Sequence, residues 1–369
     1  VFINSSGFDP SLFHDVDGKK YWLNMVWDHR EGHHPFYGIA LQQFDQVQGS
    51  LVGESEIIFK GSKIGLTEGP HMYKREGFYY LLTAEGGTEY NHAVTLARSK
   101  EILGPYEVHP QNPILTSNGD ESLVLQKAGH ASLVETTNGE WYMAHLCGRP
   151  IPGTRRCNLG RETALQKVEW REDGWLYLQT QGNVPQQRVA QPDLPAHSWP
   201  DLPSRLPFNS PHYASPRIKG SLIVLEDQKL ILKGGESLES NFEQALYGRR
   251  LTAQRMEATT KMTFKPDSFQ QMAGLVLYYN TFLFHYLFLS LNEKKGLCLQ
   301  IHSCDDGKSV FPLGSSLVEV GQSDLYLRAT LIDSGLQFSW SDDNAIYNNI
   351  GNELDASILS DDYGSRWGF

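Results

Sequence analysis

Residues 72–82 read Met-Tyr-Lys-Arg-Glu-Gly-Phe-Tyr-Tyr-Leu-Leu, two segments rich in apolar and aromatic residues that are joined by Glu76-Gly77. Aromatic and aliphatic residues favour strands, and a glycine between two such segments marks a tight turn. The stretch therefore predicts a β-hairpin.

The same layout occurs twice more in the N-terminal half. Asp17-Gly18 joins segments 12–13 and 21–23, and Asn138-Gly139 joins segments 131–134 and 141–144. The three turn glycines are 59 and 62 residues apart, a period that suits one four-stranded blade of a β-propeller. A weaker fourth copy is expected at Asp173-Gly174. Three blades fill the chain up to about residue 184, fewer than a propeller needs to close, so we expect blades to be missing from this sequence.

The residue nine positions before each turn glycine is polar and ionisable every time: Asp9, Glu68 and His130. Equivalent positions of successive blades converge on the propeller axis. Because it is costly to bury two carboxyl groups and an imidazole together, their matched placement predicts a shared site. The alternative for Asp9 and Glu68 taken singly is that each caps a turn, since Asp-Pro-Ser and Glu-Gly-Pro are good turn sequences.

Composition limits the class of protein and its partners. The net charge is −11, no basic run is present, 11% of residues are aromatic and 20% are charged. These values favour an all-β fold and a neutral ligand, and they argue against nucleic acid and anionic membranes as partners. Four cysteines without CxxC spacing predict thiols rather than a zinc site or a disulfide framework.

Seven prolines between residues 185 and 211 predict a linker between two domains. Alternating apolar and polar residues at 256–264, 273–279, 297–302 and 325–332 predict a two-sheet sandwich. We therefore predict a propeller domain at 1–184, a linker at 185–211 and a β-sandwich of the jelly-roll, concanavalin-like type at 212–369.

Two carboxyl groups in one cavity are what the cleavage of a glycosidic bond requires. Several motifs of the sequence resemble those of glycoside hydrolase family 43, and within it those of the β-xylosidases. The motifs are Gly7-Phe8-Asp9-Pro10-Ser11-Leu12-Phe13, Leu66-Thr67-Glu68-Gly69-Pro70-His71, Leu82-Thr83-Ala84-Glu85-Gly86-Gly87-Thr88, Gly129-His130-Ala131-Ser132, Leu159-Gly160-Arg161-Glu162-Thr163, Phe269-Gln270-Gln271 and Tyr278-Tyr279-Asn280.

The resemblance implies a five-bladed propeller followed by a β-sandwich, and hydrolysis with inversion of terminal β-1,4-linked xylose from xylo-oligosaccharides. It implies that Glu68 is the general acid and that Asp9 orients it and tunes its pKa. The 59 residues between them match the spacing of these two family residues, whereas the family's general base lies well ahead of the Asp9 motif. We therefore expect the base, the first blade and the end of the C-terminal domain, beyond residues 367–369, to lie outside this sequence.

Further residues are candidates for binding the sugar. Arg161 resembles the arginine that contacts sugar hydroxyls, with a structural salt bridge to Glu162 or Asp173 as the alternative. Trp27 is a candidate wall for a sugar face or else a core residue, and Thr88 and Phe36 are weaker candidates. His130 could hold a water molecule or a structural calcium ion near the axis, or could be a hydrogen-bonded core histidine; no cofactor is required.

Three other functions stay open. An α-L-arabinofuranosidase, alone or combined with xylosidase activity, would use an arabinoside and the same residues. A non-catalytic sugar-binding propeller would keep Trp27 and Arg161 but would not need Glu68 beside Asp9. A protein-interaction propeller of the WD type would repeat a Gly-His and a WD signature in every blade, and this sequence shows no such repeat, since WD occurs once, at Trp27-Asp28. A homo-oligomer is compatible with the sequence, and for the compartment we favour the cytoplasm over secretion.

Overall fold

The computed structural model describes residues 3, 5–201, 203–216, 222–226 and 229–364, so the C-terminal run 367–369 lies outside the described residues. The chain forms two compact units, Val1–Arg149 with Arg161–His197, and Pro150–Gly160 with Ser198–Phe369. The described residues are all-β. Their single helical element is a 3-10 turn at Ala356–Ile358, so none of them forms a helix that could cross a bilayer.

The first unit contains three antiparallel sheets, which are blades of a propeller. Blade 1 has the strand order β1-β2-β3-β4, blade 2 has β5-β6-β7-β8 with β9 also paired to β7, and blade 3 has β10-β11-β12-β13. The strands are β1 Phe8–His14, β2 Lys20–Trp27, β3 Phe36–Asp45, β4 Ser50–Phe59, β5 Glu68–Arg75, β6 Phe78–Glu85, β7 Ala93–Ser99, β8 Glu107–Val108, β9 Leu115–Thr116, β10 Gln126–Glu135, β11 Trp141–Gly148, β12 Glu162–Trp170 and β13 Leu176–Leu178.

The first hairpin of each blade turns through the predicted glycine. Gly18, Gly77 and Gly139 have φ of 85°, 77° and 79°, a backbone conformation that glycine adopts without a steric penalty. The predicted fourth copy is wrong, because Asp173-Gly174 joins β12 to β13 and is the last turn of blade 3. Gly174 also has a positive φ, of 75°, so the local turn signal does not tell one hairpin of a blade from another.

The blades pack face to face through residues that alternate along the strands. In β6, Leu81 belongs to the core shared with blade 1, whereas Tyr80 and Leu82 belong to the core shared with blade 3. Successive side chains of a strand point to opposite faces of its sheet, so one strand of blade 2 contributes to both cores.

The first strand of each blade is irregular near its start. Pairing shifts register between Phe8 and Ser11 in β1, between Glu68 and His71 in β5, and between Gly129 and Ala131 in β10. Within these bulges Asp9, Gly69 and His130 have φ of 53°, 56° and 46°. A bulge redirects a side chain out of the regular alternation, and here the bulges include Asp9 and His130 and begin immediately after Glu68.

The second unit is a two-sheet sandwich with orders β18-β24-β25-β26 and β19-β20-β21-β22, where β23 also pairs with β21, and with two smaller pairs, β14-β17 and β15-β16. Its core is formed mainly by leucines and isoleucines of these two larger sheets. The strands are β14 Tyr213–Ala214, β15 Ile223–Glu226, β16 Lys229–Leu232, β17 Gly248–Arg249, β18 Arg255–Thr263, β19 Ala273–Asn280, β20 Leu283–Asn292, β21 Gly296–Asp305, β22 Lys308–Val310, β23 Val318–Glu319, β24 Asp324–Ile332, β25 Gly335–Ser341 and β26 Asn348–Asp355.

Candidate active site

Glu68 is the first residue of β5 and is only 6% exposed to solvent. Its backbone pairs with Ala84 of β6, and the bulge of β5 begins immediately after this pair. A carboxyl group in such a position is held at the end of a strand and is removed from bulk water.

Asp9 lies next to this residue. It occupies the bulge of β1, and its Oδ2 accepts a hydrogen bond of 3.1 Å from the backbone N–H of Gly69, the residue that follows Glu68. The structure therefore brings together the two carboxyl groups that the repeat register predicted to share a site. It also ties blade 1 to blade 2 at this point, because a second bond of 2.5 Å runs from the Ser11 hydroxyl to the Pro70 carbonyl.

The pKa of Glu68 is raised to about 7, first by burial, which disfavours the charged form, and second by the negative charge of Asp9. The positive charge of Arg161 acts in the opposite direction and lowers the pKa of Glu68. Glu68 is therefore a carboxylic acid that keeps its proton close to neutral pH, and two neighbouring charges with opposite effects set its pKa.

Arg161 donates from Nη2 to the hydroxyl of Thr88 at 3.1 Å, which joins two of the predicted sugar-binding residues. The neighbouring Glu162 is paired with Arg149 instead, through Nη2 at 2.7 Å and Nε at 2.9 Å. Glu162, which the sequence offered as a structural partner of Arg161, forms a bidentate pair with Arg149, and the charge of Arg161 acts on Glu68.

His130 packs against the backbone that follows Glu68. A Cβ atom placed on Gly69 would lie 2.8 Å from His130 Nε2, so only glycine leaves room for the imidazole. The positive charge that His130 can carry lowers the pKa of two further histidines, His71 and His92, although burial is the larger cause in both. Three imidazoles therefore lie around the Glu68 segment, of which the repeat register predicted one.

His92 was not among the predicted site residues. Its side chain is fully buried, burial lowers its pKa to about 4, and its Nδ1 lies 3.1 Å from the Lys127 carbonyl oxygen. It is thus a neutral imidazole at neutral pH. Only its burial and its neighbours distinguish it, and neither can be read from the sequence.

Trp27 and Phe36 form an aromatic cluster with Phe8, the residue before Asp9. The ring centroids are 5.4 Å apart for Trp27–Phe36, 5.9 Å for Phe8–Trp27 and 6.0 Å for Phe8–Phe36. All three rings are half-buried, which is compatible with the wall of a sugar site and with packing around Asp9. The sugar-binding role of Trp27 and Phe36 stays a prediction.

A calcium ion near His130 was one reading of the sequence. In the described part of the chain no group of three or more His, Cys, Asp or Glu side chains is arranged to hold a metal ion. A water molecule or a calcium ion at His130 stays a prediction, and no chemical step is assigned to a metal.

Comparisons with known proteins identify the family of this chain. Residues 1–176 match glycosyl hydrolases family 43, and residues 210–369 match the β-xylosidase C-terminal concanavalin A-like domain. A xylan 1,3-β-xylosidase of a Vibrio species is 43% identical over 99% of this chain and 71% of its own length. The chain belongs to glycoside hydrolase family 43.

Two further family 43 relatives cover almost the same part of the chain. Xylosidase/arabinosidase 43B of Humicola insolens is 44% identical over 99% of this chain and 70% of its own length. The crystal structure of a xylan β-1,4-xylosidase from Bacillus halodurans C-125 superimposes with a TM-score of 0.96 at 47% identity, covering 100% of this chain and 72% of that one. The propeller and the concanavalin-like sandwich are thus those of family 43 enzymes.

Proposed function

We propose that this protein is a glycoside hydrolase that removes terminal β-1,4-linked xylose from xylo-oligosaccharides, with Glu68 as the general acid. One observation carries the proposal: a buried carboxyl group with a pKa of about 7 lies beside Asp9 and within electrostatic reach of Arg161. Such a group is still protonated near neutral pH and can donate its proton to the departing glycosidic oxygen.

Asp9 orients the acid and tunes its pKa in this proposal. Its Oδ2 fixes the Gly69 N–H, and its charge favours the protonated form of Glu68. We do not assign Asp9 as the general base, because its carboxyl group is already engaged beside the acid. The water molecule of an inverting hydrolysis has to be deprotonated by a carboxylate on the opposite face of the sugar ring.

Arg161 binds the sugar in this proposal, with Thr88 beside it. The planar guanidinium presents several donors in a fixed geometry, which suits neighbouring hydroxyl groups, and Thr88 holds one of its nitrogens. Its positive charge also limits the rise in the pKa of Glu68. Trp27 and Phe36 supply an apolar surface next to the Asp9 strand.

The test is to follow xylobiose hydrolysis by the full-length gene product with proton NMR. We expect xylose as the product and α-xylose as the first anomer formed, because inversion of a β-linkage gives the α-anomer. β-Xylose as the first anomer would overturn the inverting mechanism, and no xylose from any xylo-oligosaccharide would overturn the proposed function. β-1,3-Xylobiose serves as the linkage control, since the Vibrio relative is named for that bond.

The second candidate is α-L-arabinofuranosidase activity, because the name of the Humicola relative combines xylosidase and arabinosidase. The two sugars present similar hydroxyl groups to an arginine such as Arg161. Comparing kcat/KM for aryl β-xylopyranoside and aryl α-L-arabinofuranoside distinguishes them: a higher value for the arabinoside would reverse our order of the two activities.

A further inference from the structure

We propose that Glu85 is a positioning residue for Glu68 and that it acts through a hydrogen bond to Thr67. This inference rests on the proposed role of Glu68 as general acid and adds a residue to that site. Glu85 is the last residue of β6, its side chain is fully buried, and it is 17 positions away from Glu68 in the sequence.

Within the part of the chain that the structure describes, the hydrogen bonds that Glu85 accepts come from one short segment. Its Oε1 accepts from the Ser62 N–H at 2.8 Å and from the Thr67 hydroxyl at 3.1 Å, and its Oε2 accepts from the Ser62 hydroxyl. A buried carboxyl group without donors would be strongly unfavourable, so these bonds hold the segment 62–67 firmly against the end of β6.

The backbone of the segment 62–67 is strained and closely packed where it contacts the end of β6. Leu66 has a φ of 55°, which costs free energy in a non-glycine residue, and a Cβ atom on Gly61 would lie 2.0 Å from the Thr67 hydroxyl oxygen. The Gly86 N–H also donates to the Gly65 carbonyl at 2.8 Å. The chain is therefore forced into a strained turn immediately before the acid, and the end of β6 keeps it there.

Glu68 thus lies between two residues that are each held by a carboxyl oxygen. Thr67, before it, is held by Glu85, and Gly69, after it, is held by Asp9. The bulge after Glu68 removes the regular strand pairing that would otherwise fix the direction of its side chain. Asp9 acts on Glu68 by charge as well as by geometry, whereas Glu85 acts by geometry through Thr67.

The decisive variant is Thr67→Val in the full-length gene product, because valine is close in shape to threonine but has a methyl group, which cannot donate, in place of the hydroxyl group. Thr67→Ser is the matched control, since it keeps the hydroxyl. We measure kcat and KM on xylobiose, whose leaving group needs the acid, and on 4-nitrophenyl β-xyloside, whose leaving group needs it little. Thermal unfolding of each variant shows whether it is folded.

We expect Thr67→Val to lower kcat on xylobiose about 10- to 100-fold more than kcat on the aryl xyloside, with little change in KM, because a displaced acid loses its alignment with the glycosidic oxygen. Thr67→Ser should stay close to the wild type. Glu85→Gln should retain most of the activity, since an amide oxygen can still accept from Thr67, and Glu85→Ala should behave as Thr67→Val does.

Equal losses on both substrates in Thr67→Val, or wild-type values on both, would overturn the inference while leaving the proposed function intact. A Glu85→Gln variant as impaired as Glu85→Ala would also overturn it, because charge rather than the hydrogen bond would then be responsible. A wild-type protein that cleaves neither substrate contradicts the proposed function itself, and with it this inference.

Discussion

Glu68 combines a buried carboxyl group with two charged neighbours that act on it with opposite sign. Burial and Asp9 raise the pKa of Glu68 to about 7, and Arg161 lowers it. In its proposed role of general acid, Glu68 is active while it is protonated, so the alkaline limb of the pH dependence of kcat/KM is expected to report its pKa in the free enzyme. Substituting Asp9 or Arg161 should therefore move that limb in the direction set by the sign of the charge that is removed.

Asp9→Asn is expected to move the alkaline limb to lower pH. The substitution keeps the shape of the side chain and removes the negative charge that disfavours ionisation of Glu68, so its pKa falls. The measurement is the pH profile of kcat/KM on xylobiose, with the exposed turn variant Asp17→Asn as control. A limb that stays in place or moves upward in Asp9→Asn would remove Asp9 from the role of pKa modulator.

Arg161→Gln should move the same limb to higher pH, because it removes the positive charge that stabilises ionised Glu68. KM should rise as well, since the donors that we propose for the sugar are lost. Arg161→Lys separates the two effects: it keeps the charge but not the planar fork, so the limb should stay while KM rises. A shift of the alkaline limb to lower pH in Arg161→Gln would show that the positive charge of Arg161 does not stabilise ionised Glu68.

The sequence predicted some of these residues and missed others for a physical reason. Asp9 and Glu68 occupy matched places before their turn glycines, and the structure places them side by side. Glu85 and His92 occupy no such repeated position. Glu85 contacts Thr67 only once β6 has folded back onto β5, and His92 is distinguished by its burial. Contacts of this kind depend on tertiary structure, which periodicity does not report.

At the scale of the strand, alternation and turn chemistry predicted the first hairpin of each blade and four strands of the C-terminal half. The four alternating stretches of the C-terminal half correspond to β18, β19, β21 and β24, and the three glycine turns close the first hairpins of the three blades. The turn at Asp173-Gly174 was misassigned because every hairpin needs such a turn. The bulges in β1, β5 and β10 were not predicted either, since the extra residue of a bulge leaves no compositional signal.

The packing of β10 against the segment before β7 gives a prediction at this scale. A Cβ atom on Gly129 would lie 2.3 Å from Cγ of the buried His92 ring, and Gly129 does not have a positive φ, so the conflict is purely steric. We expect Gly129→Ala to lower the free energy of unfolding by about 1–3 kcal/mol, the usual cost of overpacking. Chemical denaturation measures this directly.

Gly321→Ala is the matched control for that variant, since Gly321 has no atom within 4 Å of its added Cβ and no positive φ. Gly129→Ala should be clearly less stable than Gly321→Ala. Equal stability of the two variants would show that the His92 ring can move aside, and that it is not held rigidly beneath the Glu68 segment.

The whole molecule contains two units, each with its own hydrophobic core. Glu68, Asp9, Glu85 and Arg161 all belong to the unit that contains the blades. The net charge of −11 and the many aromatic residues agree with a neutral sugar as ligand. We therefore propose that one carboxyl group of the propeller, that of Glu68, protonates the glycosidic oxygen as the leaving group departs.

The most direct test of that claim is Glu68→Ala in the full-length gene product, assayed on xylobiose and on an aryl xyloside with a good leaving group. We predict a loss of about 10²–10⁴-fold in kcat/KM on xylobiose and a far smaller loss on the aryl xyloside, because a phenolate departs with little protonation. An equal loss on both substrates, in a variant that is folded, would contradict the assignment of Glu68 as the general acid.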